Sequence, residues 1–145
     1  MSKWVLLLGG STGHGAATAK KLASEGYGII AFHFDRGEAK KVANETIEEV
    51  KHLSKNRCHY FNTNAASEKT MHEYIPKIKE ITSGEPLKLL LHSIAFGTTT
   101  NFFGDKPVTQ RQMDMTVHVM GNSLLYWTQN LYAEGLLSKG SRVIG

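Results

Sequence analysis

The chain has 145 residues, a net charge of +4 and 41% hydrophobic residues, a composition typical of one globular domain. Its lysines are spread over predicted helices rather than gathered in one basic run with aromatic residues, which argues against nucleic-acid binding. No apolar run is long enough to cross a membrane, and a single cysteine, Cys58, excludes an internal disulfide. We therefore expect a cytoplasmic protein that binds neither nucleic acid nor a membrane.

Predicted strands and helices alternate along the chain. Apolar runs predict strands at 3–8, 28–34, 57–61, 87–92 and 141–144. Helical spacing of apolar residues predicts helices at 13–24, 39–53, 67–81 and 109–132. Pro76 predicts a kink or a later start in the third helix. Together these elements predict a Rossmann-type α/β fold, a doubly wound parallel sheet of about five strands in the order 3-2-1-4-5.

A glycine-rich loop, Gly9-Gly10-Ser11-Thr12-Gly13-His14-Gly15, separates the first strand from the first helix. A loop of this kind presents the free N–H groups and the positive dipole end of a helix to phosphate. The predicted strand order reverses between strands 1 and 4, so the loop and residues 92–97 face one crevice. The sequence therefore predicts a dinucleotide-binding domain over residues 1–145, with Ser11, Thr12 and His14 as added donors near the phosphates.

Residues 8–15 resemble the T-G-x-x-x-G-x-G fingerprint of the short-chain dehydrogenase/reductase family, with Leu8 in place of the threonine. The resemblance implies that Asn64, after strand 3, meets the adenine where the family has an acidic residue. It also implies that the backbone after strand 4 lies along the cofactor's ribose. The loop, the end of strand 2 and the resemblance together give these candidate cofactor-binding residues: Gly9, Ser11, Thr12, Gly13, His14, Gly15, Arg36, Asn64, Ala65, Ser93, Ile94 and Ala95.

The segment His92-Ser93-Ile94-Ala95-Phe96-Gly97 resembles enoyl-acyl-carrier-protein reductases, a branch of that family. This resemblance implies NAD(P)H-dependent reduction of an enoyl thioester in fatty-acid synthesis, with the acyl substrate carried on acyl carrier protein. Because residues 9–15 are of the general short-chain type, a ketoacyl or other carbonyl reductase is the alternative. A non-catalytic nucleotide-binding or interaction module is a further one.

The end of strand 2 bears on the choice between NAD(H) and NADP(H). Asp35 lies 20 residues after Gly15, a spacing that permits a carboxylate on the ribose hydroxyls of NAD(H). Counting from Gly26 instead places the acid position near Phe32 and leaves Arg36 free for the 2′-phosphate. We favour NADP(H), while a surface pairing of Arg36 with its acidic neighbours is the plain structural alternative.

No tyrosine in the chain is followed by lysine four residues later, the Tyr-x-x-x-Lys pair on which short-chain reductases rely. We therefore expect these residues to supply the cofactor-binding half of a longer reductase domain and to be nearly inactive alone. His118 lies where the family's helix often carries a proton-relay asparagine, which makes it the one catalytic candidate, with core packing beside Val117 and Met120 as the alternative. His92 taken alone is expected to be a hydrogen-bonded core histidine, while the resemblance of the segment that follows it raises the alternative of a cofactor-pocket residue. No His/Cys/Asp/Glu spacing predicts a metal site.

The predicted helix at 109–132 resembles the dimer-forming helix of the family. Its apolar face predicts a homo-oligomer through this helix. That face consists of Met113, Val117, Met120, Leu124 and Trp127.

Overall fold

A computed structural model describes residues 3–145. The strands are β1 (Trp4–Leu8), β2 (Gly28–His33), β3 (Cys58–Asn62), β4 (Leu89–His92) and β5 (Arg142–Ile144). The helices are α1 (Gly13–Ser24), α2 (Ala39–Leu53), α3 (Glu68–Ile81), α4 (Gln110–Val117) and α5 (Ser123–Ala133), with a π-helical segment, His118–Asn122, between α4 and α5.

All described strand pairs are parallel, and the sheet order is β3-β2-β1-β4-β5, which confirms the predicted doubly wound fold. The side chains of β1 alternate between two cores. Leu6 and Leu8 belong to the core that includes residues of α3 and α5, whereas Val5 and Leu7 belong to the core with α1 and α2. Because both faces of the sheet are covered, every residue of β1 is buried, as its continuous apolar run predicts.

Helix α1 approaches the sheet through small side chains, Ala16, Ala19 and Ala23, all buried. It ends at a reversal in which Gly26 adopts a φ of +85° and donates its N–H to the Ala23 carbonyl at 3.0 Å. A positive φ of this size favours glycine. The alanines therefore determine the packing face of α1, and Gly26 determines where the helix ends.

Two predictions about helices change in the structure. Helix α3 runs from Glu68 to Ile81 as one element that includes Pro76, without the later start that the proline suggested. Its buried face, which contains Ile75 and Ile78, offsets the hydrogen bond that proline removes. The single helix predicted over 109–132 is divided by the π-helical segment, which apolar spacing cannot show because α4, the segment and α5 follow one another without a break.

The apolar face predicted on that helix is only partly exposed. Trp127 is fully buried in the core with α3, whereas the exposed fractions of Val117 and Met120 are 51% and 47%. Trp127, which the sequence placed on the predicted association face, is therefore a core residue of its own chain. Strand β5 pairs only with β4 among the described strands, and its three residues are exposed.

Candidate functional site

A cavity of about 340 Å³ opens at the carboxyl ends of the strands. It lies between the glycine loop, the ends of β2 and β3, the segment after β4, and the helix face that carries Met115 and Val119. Eight of the twelve candidate cofactor-binding residues line it: Gly9, Ser11, Thr12, Asn64, Ala65, Ser93, Ile94 and Ala95. The remaining four, Gly13, His14, Gly15 and Arg36, are not among its lining residues. The crevice thus brings together candidate residues from three separate segments of the chain, residues 9–12, 64–65 and 93–95.

The glycine loop is wedged between β2 and the segment that follows β4. The backbone N–H groups of Gly9 and Gly10 both donate to the Phe32 carbonyl, at 2.9 and 3.0 Å. Gly9 has a φ of +93°, and a Cβ on it would overlap the carbonyl oxygen of Ser93. A Cβ on Gly15 would overlap the carbonyl oxygen of Gly9 in the same way. The glycines are therefore required by close backbone packing that shapes one wall of the crevice.

The N-terminus of α1 leaves backbone donors at this wall. Thr12 is the N-cap residue in extended conformation, but its side chain makes no capping hydrogen bond. The N–H groups of residues 13–15 precede the first helical acceptor and have no intrahelical partner. Thr12, Gly13 and His14 are exposed. An anionic group fits this arrangement, because the helix dipole and the free N–H groups both favour negative charge.

Asp35 connects the loop to the end of β2. The Ser11 hydroxyl donates to Oδ2 of Asp35 at 2.7 Å, and Nδ1 of His33 lies 2.7 Å from the same oxygen. Because a carboxylate only accepts, His33 donates through Nδ1–H. The Ser11 proton therefore points to Asp35, whereas the sequence suggested a pyrophosphate as its acceptor. The side chains of His33 and Asp35 are 7% and 15% exposed, so both hydrogen bonds are largely shielded from water.

The backbone on both sides of this network is held by β3. Asn62 donates through Nδ2 to the Asp35 carbonyl and accepts from the Asp35 N–H, each at 3.1 Å. Tyr60 donates its hydroxyl to the Gly10 carbonyl at 3.3 Å. Burial raises the pKa of Tyr60 well above its usual range, so this phenol remains a neutral donor. Neighbouring strands thus fix the positions of Asp35 and the glycine loop.

Arg36 lies beside this network with its guanidinium stacked over the Phe34 ring, 4.7 Å from the ring centroid. Phe34 lines the cavity and is 55% exposed. Over residues 3–145, no carboxylate lies within ion-pair distance of Arg36. The surface pairing with Asp35 or Glu38, which the sequence left open, is therefore not formed.

The loop after β3 is held from the opposite side by the helical region. His118 donates through Nε2–H to the Ala66 carbonyl at 2.9 Å, and Trp127 donates through Nε1–H to the Ala65 carbonyl at 2.7 Å. The Asn64 amide oxygen accepts from the Ala66 N–H at 3.0 Å. His118 therefore positions the loop that carries Asn64 in this structure, and a proton-relay role for it stays a prediction.

His92 closes β4 with a buried chain of hydrogen bonds. The Ser123 hydroxyl donates to the Val119 carbonyl at 2.7 Å and therefore accepts from Nε2–H of His92, also at 2.7 Å. Burial lowers the pKa of His92, and hydrogen bonds to backbone groups oppose that shift in part. The structure agrees with the expectation of a hydrogen-bonded core histidine.

Several cavity-lining residues were not predicted from the sequence, among them His33 and the pair Met115 and Val119. His33 is a polar residue at the end of an otherwise apolar, buried strand. Such a position is a signal that the side chain needs a hydrogen-bond partner. Met115 and Val119 lie four residues apart, so a single helical face presents both to the cavity. Their roles were not visible before the helix was placed against the sheet.

Two further classes of site have no counterpart in the part of the chain that the structure describes. Its His, Cys, Asp and Glu side chains form no group of three that could hold a metal ion. None of its described helices combines the length and apolar character needed to cross a membrane.

Comparison with solved structures shows the same fold at low sequence identity. A short-chain dehydrogenase/reductase from Serratia marcescens superimposes with a TM-score of 0.74 and 20% identity, over 97% of this chain and 53% of that one. YwfH, described as an NADPH dependent reductase involved in bacilysin biosynthesis, gives a TM-score of 0.79 at 15% identity, over 99% of this chain and 57% of that one. A 3-oxoacyl-[acyl-carrier protein] reductase from Brucella melitensis in complex with NAD gives 0.74 at 20% identity, over 94% and 50%.

The chain spans about half the length of these structures. No curated protein sequence gives a significant match. The family model of short chain dehydrogenases, however, matches residues 3–144, nearly the whole sequence. The chain therefore belongs to the short chain dehydrogenase family.

Proposed function

We propose that this chain binds NADP(H) in the crevice at the carboxyl ends of its strands and serves a reductase. The observation that carries the proposal is the convergence of the glycine loop, the loop after β3 and residues 93–95 around one cavity. A dinucleotide needs contacts at its pyrophosphate, its adenine and its ribose, and these three segments are available for them in that order. Membership of an oxidoreductase family supports the same function.

Each part of the wall has a physical role in this proposal. The backbone N–H groups at Gly13–Gly15 receive the pyrophosphate, with Thr12 and His14 beside them. The loop at Asn64, fixed by His118 and Trp127, receives the adenine. When bound, the nicotinamide supplies a hydride, and residues 93–95 orient its ribose.

Arg36 favours NADP(H) over NAD(H) in this arrangement. Its guanidinium has no carboxylate partner among residues 3–145 and stacks on Phe34, which lines the cavity. A guanidinium in this position is available for a bidentate, charge-assisted contact with a 2′-phosphate. YwfH, which shares the fold, is described as NADPH dependent. The NAD complex of the Brucella melitensis reductase keeps NAD(H) as the second candidate.

For the substrate, we propose an acyl thioester, carried on acyl carrier protein, whose carbon–carbon double bond is reduced. The segment His92–Ala95 supports the enoyl substrate, because its sequence resembles the matching part of enoyl reductases. A 3-oxoacyl thioester is the second candidate, supported by the structural similarity to the Brucella melitensis 3-oxoacyl reductase.

Binding of the two nucleotides tests the cofactor directly. We expect NADPH to bind the 145-residue chain with saturation in a fluorescence titration, and more tightly than NADH. Arg36→Ala should weaken NADPH about tenfold and leave NADH nearly unchanged, because it removes one charge-assisted contact to the 2′-phosphate.

Arg57→Ala is the matched control for this titration. Arg57 also stacks on an aromatic ring, that of Trp4, at 5.1 Å, but Trp4 is not among the cavity-lining residues, whereas Phe34, the ring under Arg36, is. We expect it to leave both affinities unchanged. Saturable binding of neither nucleotide would overturn the proposed function, and equal affinity of Arg36→Ala and wild type for NADPH would overturn the cofactor preference.

We further propose that copies of this chain associate through the helical region 109–132 and that the protein is cytoplasmic. The exposed apolar side chains Val117 and Met120 support the association. Trp127 takes no part in it, because it is fully buried within its own chain.

A further inference from the structure

We propose that Ser11 and His33 set the nucleotide preference by shielding Asp35, so that an acidic residue at the end of β2 is compatible with NADP(H). This inference rests on the proposed function. An acid at this place otherwise favours NAD(H), because a carboxylate accepts from ribose hydroxyls and repels a 2′-phosphate. The Asp35 carboxylate differs from an unpartnered one because Ser11 and His33 both form hydrogen bonds with it.

Both donors converge on one oxygen of Asp35. The Ser11 hydroxyl and Nδ1–H of His33 each lie 2.7 Å from Oδ2, and the donors come from different elements, the glycine loop and β2. Hydrogen bonds to a charged acceptor are short and strong, and they withdraw negative potential from the side that they occupy. Two such bonds on a side chain that is only 15% exposed reduce the field that Asp35 presents to the crevice.

The network also fixes where the carboxylate points. The backbone of Asp35 is held at both its N–H and its carbonyl by the Asn62 side chain. With the backbone fixed, the two side-chain hydrogen bonds select one orientation in which Oδ2 faces Ser11 and His33. Arg36, the next residue, stacks on Phe34 and forms no hydrogen bond or ion pair with Asp35 in the described structure. The negative and positive groups are thereby kept apart.

Loss of either donor should therefore increase the repulsion between the Asp35 carboxylate and a 2′-phosphate, and free the carboxylate to accept hydrogen bonds from ribose hydroxyls. We expect Ser11→Ala to lower the ratio of NADPH to NADH affinity about tenfold, the scale of one charge-assisted hydrogen bond. His33→Phe keeps an aromatic ring next to Tyr60, whose centroid lies 6.1 Å away, and removes the Nδ1 donor. It should shift the ratio in the same direction.

A double-variant comparison separates shielding from general damage. Asp35→Asn removes the charge, so adding Ser11→Ala to it should leave the ratio of affinities unchanged. Thr12→Val is the matched control in the same loop, because it also loses a hydroxyl that lines the cavity but that makes no capping hydrogen bond. Because Thr12 lies beside the proposed site of the pyrophosphate, which both nucleotides share, Thr12→Val should weaken both equally and leave the ratio unchanged. Thermal melts show which variants fold. If His33→Phe does not fold, the affinity ratio of Ser11→Ala alone tests the shielding of Asp35.

The outcomes are distinct. A lower ratio in Ser11→Ala that disappears in the Asp35→Asn background supports the proposal. Equal weakening of NADPH and NADH by Ser11→Ala shows a role limited to loop structure and overturns this inference alone. Failure of the wild-type chain to bind either nucleotide overturns the proposed function and this inference with it.

Discussion

The two walls of the crevice are built differently. The first wall, formed by the glycine loop and the ends of β2 and β3, is held together by side-chain hydrogen bonds, among them Ser11 to Asp35 and Tyr60 to Gly10. The second wall, formed after β4, is tied to the helical region by His92 to Ser123 and by the Thr98 N–H to Thr116 Oγ1 at 3.2 Å, and most of it is a stretch without regular secondary structure. Phe96, Phe102 and Phe103 on this stretch are 58%, 69% and 88% exposed.

The difference separates two tasks within one site. A wall that is fixed before a ligand arrives loses little conformational freedom on binding, which suits recognition of a constant group such as a nucleotide. The apolar, less restrained wall suits a variable partner that would cover it. Three perturbations test this contrast, in order of decreasing effect.

The largest effect is expected where backbone meets backbone in the first wall. Gly15→Ala would place a Cβ onto the Gly9 carbonyl, which is backbone and cannot rotate away. We expect a loss of about 3 kcal/mol in the free energy of unfolding, measured by urea denaturation, together with loss of nucleotide binding.

Gly13→Ala is the control for that measurement. A Cβ there meets nothing within 4 Å, although the φ of +55° makes it strained, so about 1 kcal/mol is expected. If Gly15→Ala were no more destabilising than Gly13→Ala, the close packing of the loop would not be what fixes the first wall.

A smaller effect is expected at the buried polar link of the second wall. Because burial lowers the pKa of His92 below its ordinary 6.5, the unfolded chain binds a proton more readily than the folded one. The free energy of unfolding should therefore fall as the pH drops below about 6.5. His92→Asn should reduce that loss, measured by urea denaturation at pH 7.5 and 5.5.

His59→Gln serves as the comparison, because partial desolvation also lowers the pKa of His59, although this residue is exposed and makes no described hydrogen bond to a helix. His59→Gln should remove only that part of the loss in unfolding free energy between pH 7.5 and 5.5 that comes from protonation of His59. An identical loss of stability on acidification in wild type and His92→Asn would contradict a buried, neutral His92.

The smallest effect on nucleotide binding is expected at Val117, an exposed residue of α4 that does not line the cavity. Val117→Glu should abolish self-association in sedimentation experiments and leave NADPH affinity unchanged, because Val117 is not among the cavity-lining residues. Val42→Glu on α2 is the matched control, with 52% exposure against 51%. A wild-type chain that sediments as a monomer would overturn the proposed association.

The sequence predicted the fold well because its signals are local or periodic. Apolar runs and glycines mark β1, the loop and α1, and the strand order follows from right-handed crossovers. Half of the lining residues were predicted: those of the glycine loop from the local pattern, and residues 64–65 and 93–95 from the family resemblance. The contacts of Asp35 were not predicted, because they join Ser11, His33 and Asn62, which only the packed sheet brings together.

The helical region shows the same limit. Spacing identified an apolar face but could not assign Trp127 to the core or show the π-helical segment. Both depend on how the region sits against the loop after β3, a contact across 62 residues of sequence.

The π-helical segment has a consequence for the length of this region. Each added residue turns an α-helix by about 100°, so one extra residue would normally rotate everything beyond it away from the sheet. A π-helical turn accommodates an extra residue within itself. Val119 can therefore line the cavity while Trp127 and Leu131 still reach the core. Residues 118–122 thus form a place where one residue can be removed, which leaves a regular α-helix whose two ends keep their orientation, whereas a one-residue deletion within α5 would turn its buried face outward.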